Sequence, residues 1–196
     1  MNFFRSIVVA PLALCILLLA ASFAQYAHSP VFASADRKIA WLRENGRSEY
    51  PASKPTVLTA EEWNAYLNQG GVKLPEGLSN IRISSQPTIA HGEADVDFDR
   101  LTANRSRSNP FLTLFTGKHH VTVTAQLAAA RGTGAVRVES FMLDGVEVPR
   151  IALEYFADRF LRPKYGSAVG LDSTFHLPAR IDSASLGTDQ VTISQH

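Results

Sequence analysis

Residues 121–143 read VTVTAQLAAARGTGAVRVESFML. Val121, Val123, Ala125 and Leu127 alternate with Thr122, Thr124 and Gln126, the period of two that places apolar side chains on one face of a strand. Arg131-Gly132-Thr133-Gly134 carries turn chemistry, and Val136 to Leu143 reads as the returning strand. A short turn between two strands forces antiparallel pairing. Downstream, Asp144-Gly145 turns the chain into Val146-Glu147-Val148, and Pro149 ends that piece. Arg150 to Leu161 (RIALEYFADRFL) then changes period. Ala152, Leu153, Phe156, Ala157 and Phe160 fall on one face of a helix. Arg150, Glu154, Asp158 and Arg162 recur every four residues on the other side, where Ile151, Tyr155 and Leu161 also intrude.

Upstream, Ala94, Val96 and Phe98 alternate with Asp95, Asp97 and Asp99. Ile81 to Ile83, Thr88 to Ala90 and Glu93 to Asp99 read as strands, with His91-Gly92 as a hairpin turn. Thr59-Ala60-Glu61-Glu62 is a capping box that opens a helix, with Leu58 and Trp63 at staple positions and Gly70-Gly71 as its stop. Ala35 to Asn45 reads as a shorter helix, followed by a Pro-containing linker at 46–56. Thr174 to Leu177, Ile181 to Leu186 and Gln190 to Gln195 close the chain as strands. Seven or so strands with one very apolar helix among them is an α+β pattern. We expect a curved antiparallel β-sheet whose concave face holds the 150–161 helix, in one domain after a signal peptide.

The chain has 196 residues, 45% of them apolar and 19% charged, with a formal net charge of +1. This excludes a disordered chain and gives no basic excess for nucleic acid. Residues 1–24 (MNFFRSIVVAPLALCILLLAASFA) match a signal peptide: Arg5 ahead of an apolar run, then small residues before a cut near Ala24/Gln25. An uncleaved membrane anchor is the competing reading, against which Pro11 and the Ser22-Phe23-Ala24 end weigh. Cys15 follows Leu14 deep in the apolar run, which does not fit a lipoprotein cut. Cleavage removes the only cysteine and leaves basic and acidic residues equal in number. The expected location is periplasmic or secreted. The expected segments are 1–24, an N-terminal helix and linker over 25–55, and a main domain over 56–196.

Catalytic and metal signatures are weak. The Asp95-x-Asp97-x-Asp99 run lacks the Gly and Glu of a calcium loop, having Arg100 and Ser106 there, and reads as a solvated face balanced by strand arginines such as Arg82. His119 and His120 are adjacent, so a strand sends their rings to opposite faces. No serine lies in a G-x-S-x-G turn. Asn104-Arg105-Ser106 matches a glycosylation sequon, with nothing else to indicate a eukaryotic secretory route. These observations point away from an enzyme, and no cofactor is implied. The feature that points to a function is an excess of apolar residues around 111–115 and 153–160, either plain core or the wall of a ligand groove. The candidate wall residues are Leu112, Leu114, Phe115, Leu153, Phe156 and Phe160.

Several segments resemble a known group of secreted bacterial proteins. They are Leu58-Thr59-x-x-Glu62-Trp63-Asn64-Ala65-Tyr66-Leu67, Leu74-Pro75-Glu76-Gly77, Val96-Asp97-Phe98-Asp99, Gly145-Val146-Glu147-Val148-Pro149 before an apolar helix, and Phe175-His176-Leu177-Pro178-Ala179-Arg180-Ile181. Together they resemble the LmeA-like phospholipid-binding family and its relatives among tubular lipid-binding domains, over roughly residues 56–195. The resemblance implies a curved sheet around a helix, with phospholipid acyl chains in an apolar groove and no catalytic residues. The expected partner is thus a phospholipid or other apolar ligand, with peripheral membrane contact through groups such as Arg105, Arg107, Arg159, Arg162 or Lys164. The alternative is a structural or protein-interaction module of the cell envelope, its helix simply core.

Overall fold

Among the described residues the buried apolar side chains form two hydrophobic cores, one built from the two ends of the chain and the other from its middle. The computed structural model describes residues 28–101, 115–165 and 170–196. Within them the fold is α+β, with every strand pairing antiparallel. Residues 31–196 form one compact unit.

The first core lies under helix α1 (Pro30–Asn45), which begins five residues before the Ala35 start expected from sequence. Pro30 suits the first turn, because its missing N–H has no partner to lose there. Phe32, Ala35, Ile39 and Leu42 face inward at helical spacing. They pack on a three-stranded sheet of β1 (Thr56–Thr59), β9 (Gln190–Gln195) and β8 (Ile181–Gly187), with β9 in the middle. Helix α2 (Ala60–Asn68) starts at Thr59 as expected, and both bonds of the capping box form. Leu58 is completely buried and Trp63 packs beside it in the same core. At the end of α1, Gly46 is obligatory: any Cβ would lie 2.2 Å from the Ala179 carbonyl oxygen.

The second core lies on the larger sheet. β2 (Leu78–Gln86), β3 (Ile89–Asp97), β4 (Lys118–Ala130) and β5 (Thr133–Leu143) follow in order. The short β6 (Val146–Glu147) and β7 (Asp172–His176) pair with opposite ends of β5. The β4–β5 turn is the two residues Arg131 and Gly132, both at positive φ, as such tight hairpins require. Asp144-Gly145 turns the same way. His91-Gly92, expected as a turn, lies inside β3. The chain reverses at Pro87-Thr88 instead, where Thr88 takes a φ of 68°. Pro at the first turn position presets the bend, and His91 and Gly92 keep unbroken pairing to both neighbours.

The open edge of β2 is covered by side chains. Asn64 and Asn68, one turn apart on α2, each bond both the N–H and the C=O of a strand residue, Ile83 and Ile81 respectively. Two amide side chains thus take the place of a neighbouring strand, which removes a template for aggregation.

After Pro149, helix α3 (Arg150–Phe156) widens into a π-helical turn (Ala157–Leu161) and closes with a short helical turn (Arg162–Tyr165). The Arg162 N–H reaches back five residues to the Ala157 carbonyl. The expected i,i+4 ion pairs form, Arg150 with Glu154 and Arg162 with Asp158. Ala152, Leu153, Phe156 and Phe160 are buried against Val96, Val121 and Leu143 of the sheet. Among the described residues no helix is long and apolar enough to cross a membrane.

Candidate functional site

Strand alternation puts Ala94, Val121 and Leu143 in one row across the larger sheet, and Ile83, Gly92, Val123 and Phe141 in the next. All point to the side on which α3 packs. The helix does not fill that side. A cleft of about 430 Å³ remains, floored by these two rows without Leu143 and walled by Leu153, Phe156 and Ala157. Pro75, Leu78 and Ile81 bound it at the β2 end, and Gly170 and Leu171 at the other. The size falls within the roughly 300–1,000 Å³ of small-molecule sites. Among the described residues, Glu93 is the one titratable residue on its wall. Its place in the alternation sends its side chain to the opposite face, where it borders two other pockets.

Of the residues expected to form the wall, Leu153 and Phe156 line this cleft. Phe115 and Phe160 pack behind it, both buried, in ring contact with Phe156 at centroid separations of 4.4 and 5.1 Å. Phe98 joins them edge-on and reaches the cleft itself. These rings fix the helix wall. Leu112 and Leu114 lie outside the described residues. The floor was only partly legible: the β3 and β4 alternation was visible, but not Gly92 as a floor position.

The opposite face of the same sheet is polar. Asp95 accepts from Asn80 at 2.6 Å and pairs with His120 at 3.0 Å. The Asn80 amide, then His120, hold its carboxyl below the usual range. His119 faces the other way. One ring nitrogen contacts the Asp144 carboxylate at 2.6 Å and the other the Thr116 carbonyl at 2.8 Å. Both partners only accept, so the charged imidazolium satisfies both, and the Asp144 contact raises the His119 pKa. The ring also lies 6.0 Å from Phe98, tying this clamp to the aromatic cluster. Among the described residues no group of three or more His, Cys, Asp or Glu side chains is placed to hold a metal.

No family model, curated protein or solved structure matches this chain. The resemblance to LmeA-like proteins therefore rests on the short segments quoted above. In the structure those segments are a helix start (58–67), the loop beside the cleft (74–77), a strand end (96–99), the approach to the helix wall (145–149) and the link from β7 to β8 (175–181). Chemically, the cleft offers apolar contact and shelter from water. Among the described residues, its lining carries no Ser, Thr, Cys, Lys or His side chain.

Proposed function

We propose that this protein binds phospholipid, or another acyl-chain ligand, without catalysing a reaction, as part of a bacterial cell envelope. In this reading residues 1–24 are a signal peptide cut near Ala24, and the mature chain works in the periplasm or outside the cell. The observation that supports it is the apolar cleft between the larger sheet and α3, walled by Leu153 and Phe156. An open apolar cleft on a folded protein needs an occupant. Each methylene it takes from water contributes about 0.8 kcal/mol.

The test is native mass spectrometry of the protein purified without detergent, with lipid analysis of its organic extract. A stoichiometric adduct of phospholipid mass is the expected result. A bare mass, unchanged after incubation with liposomes, overturns the reading. Phe156→Asp is a poor probe here, because Phe156 is buried among three other rings and an unpaired carboxylate there would break the core itself.

A second reading, a protein-interaction module, draws on a different observation. Val146 on β6 is 70% exposed and Ile151 on α3 68%. Bare mass together with a reproducible stoichiometric protein partner, lost in Ile151→Glu, would favour it.

A further inference from the structure

Gly92 is a glycine in the middle of a strand, where the residue is normally a liability. It adds conformational entropy to the unfolded chain and contributes no side chain to the sheet. Such a glycine has three ordinary explanations: a bulge or bend, a backbone angle that only glycine adopts, or the close approach of something to the strand. The first fails, because pairing runs unbroken from Arg82–Glu93 to Gln86–Ile89 on one side of β3 and from Ile89 to Asp97 on the other. The second fails, because Gly92 is not among the residues with positive φ. Among the described residues the third fails as well, since a Cβ at this position would meet none of their atoms within 4 Å. Gly46, by contrast, is explained by the Ala179 carbonyl at its back. The space that a Gly92 side chain would occupy is the cleft, between Ile83 on β2 and Val123 on β4.

Resting on the acyl-chain reading, we infer that Gly92 is its specificity-determining residue. The ligand's alkyl chain crosses the sheet in van der Waals contact with the Gly92 Cα, and the missing side chain sets how deep and how long a chain the cleft accepts. Alkyl chains suit this contact because the neighbouring floor, Ile83, Ala94, Val123 and Phe141, offers only apolar surface. A polar ligand would lose its hydrogen bonds to water there without replacement.

The experiment compares the wild-type chain with Gly92→Ala and Gly92→Leu. Each is loaded from vesicles of phosphatidylglycerol and phosphatidylethanolamine with acyl chains of graded length, and bound lipid is read by native mass spectrometry. Thermal melting accompanies each measurement. Gly92→Leu is expected to lower loading by about tenfold and to shift what remains towards shorter chains. Gly92→Ala is expected to melt no lower than wild type and to show an intermediate loss, which keeps the test decisive if Gly92→Leu fails to fold. Wild-type loading with both variants binding the same lipids to the same extent overturns this inference alone. A wild-type chain that takes up no lipid overturns the binding reading and this inference with it.

Discussion

The two cores use different chemistry. Beneath α1, buried polar groups are knitted into the apolar packing. Glu62 accepts from Lys38, Ser34 and the Thr59 amide. Gln195 donates to the Leu42 and Ala179 carbonyls and accepts from Asn45, which also bonds both polar groups of the Ala52 backbone. Beneath α3 the buried residues are aliphatic and aromatic, and a cleft lies beside them. Satisfied polar networks hold α1 in one arrangement, because any slip would leave buried groups without partners. Apolar packing alone is less directional. It holds the helix wall through ring contacts while leaving space to one side. The first core closes the molecule, and the second leaves an apolar cleft open.

The sharpest way to break that contrast is Leu58→Ala. Leu58 is fully enclosed, so the change should cost about 2–5 kcal/mol, read as a lower urea midpoint. A midpoint unchanged from wild type would mean that the first core is as loosely packed as the second.

Glu62→Gln comes next. It removes the charge partner of Lys38 and weakens one arm of the capping box, an expected loss of about 1–3 kcal/mol at neutral pH. Burial pushes the Glu62 carboxyl up, but its bonds to Lys38, Ser34 and the Thr59 amide outweigh that, and the net pKa lies below 4.5. A depressed carboxyl pKa stabilises the fold above the unfolded value and loses that contribution as pH falls through the folded one. The stability gap between wild type and Glu62→Gln should therefore shrink on acidification below pH 4.5. A gap independent of pH would refute the ionised network.

His119→Gln should give a smaller effect of opposite sign in pH. The His119 pKa is raised above 6.5, mainly by Asp144. Its contribution is complete below 6.5 and disappears as pH rises through the raised value, so the gap to His119→Gln should narrow in alkali. A gap that widens with pH would show a neutral ring in the clamp.

The smallest effect belongs to Ile83→Ala. Ile83 lines the cleft and is only partly buried, so its truncation should cost about 1 kcal/mol or less, well below Leu58→Ala. A loss as large as that of Leu58→Ala would mean that the cleft is packed in solution.

Much of this was legible in short segments. The Thr59–Glu62 capping box, the Asp144-Gly145 turn, the apolar helix face with its i,i+4 ion pairs and the alternation on β3 and β4 all depend on residues a few positions apart. The His91-Gly92 pair resembles turn chemistry, whereas Pro87 and a positive φ at Thr88 make the bend. The asparagine cover of β2 was hidden, because nothing local to Asn64 and Asn68 shows which strand edge they meet. The Asn45–Gln195 bond joins residues 150 positions apart, beyond any local pattern.

The sequence by itself determined the α+β class, the antiparallel pairing and the inward face of the 150–161 helix. Periodicity and turn chemistry act between near neighbours, and the physics that sets them is local. Only the tertiary structure decided that there are two cores, that α1 closes one of them, and that a glycine on β3 opens the floor of a cleft beside the other. Each of these depends on how volume is filled when distant segments meet, and no stretch of sequence contains both sides of that fit.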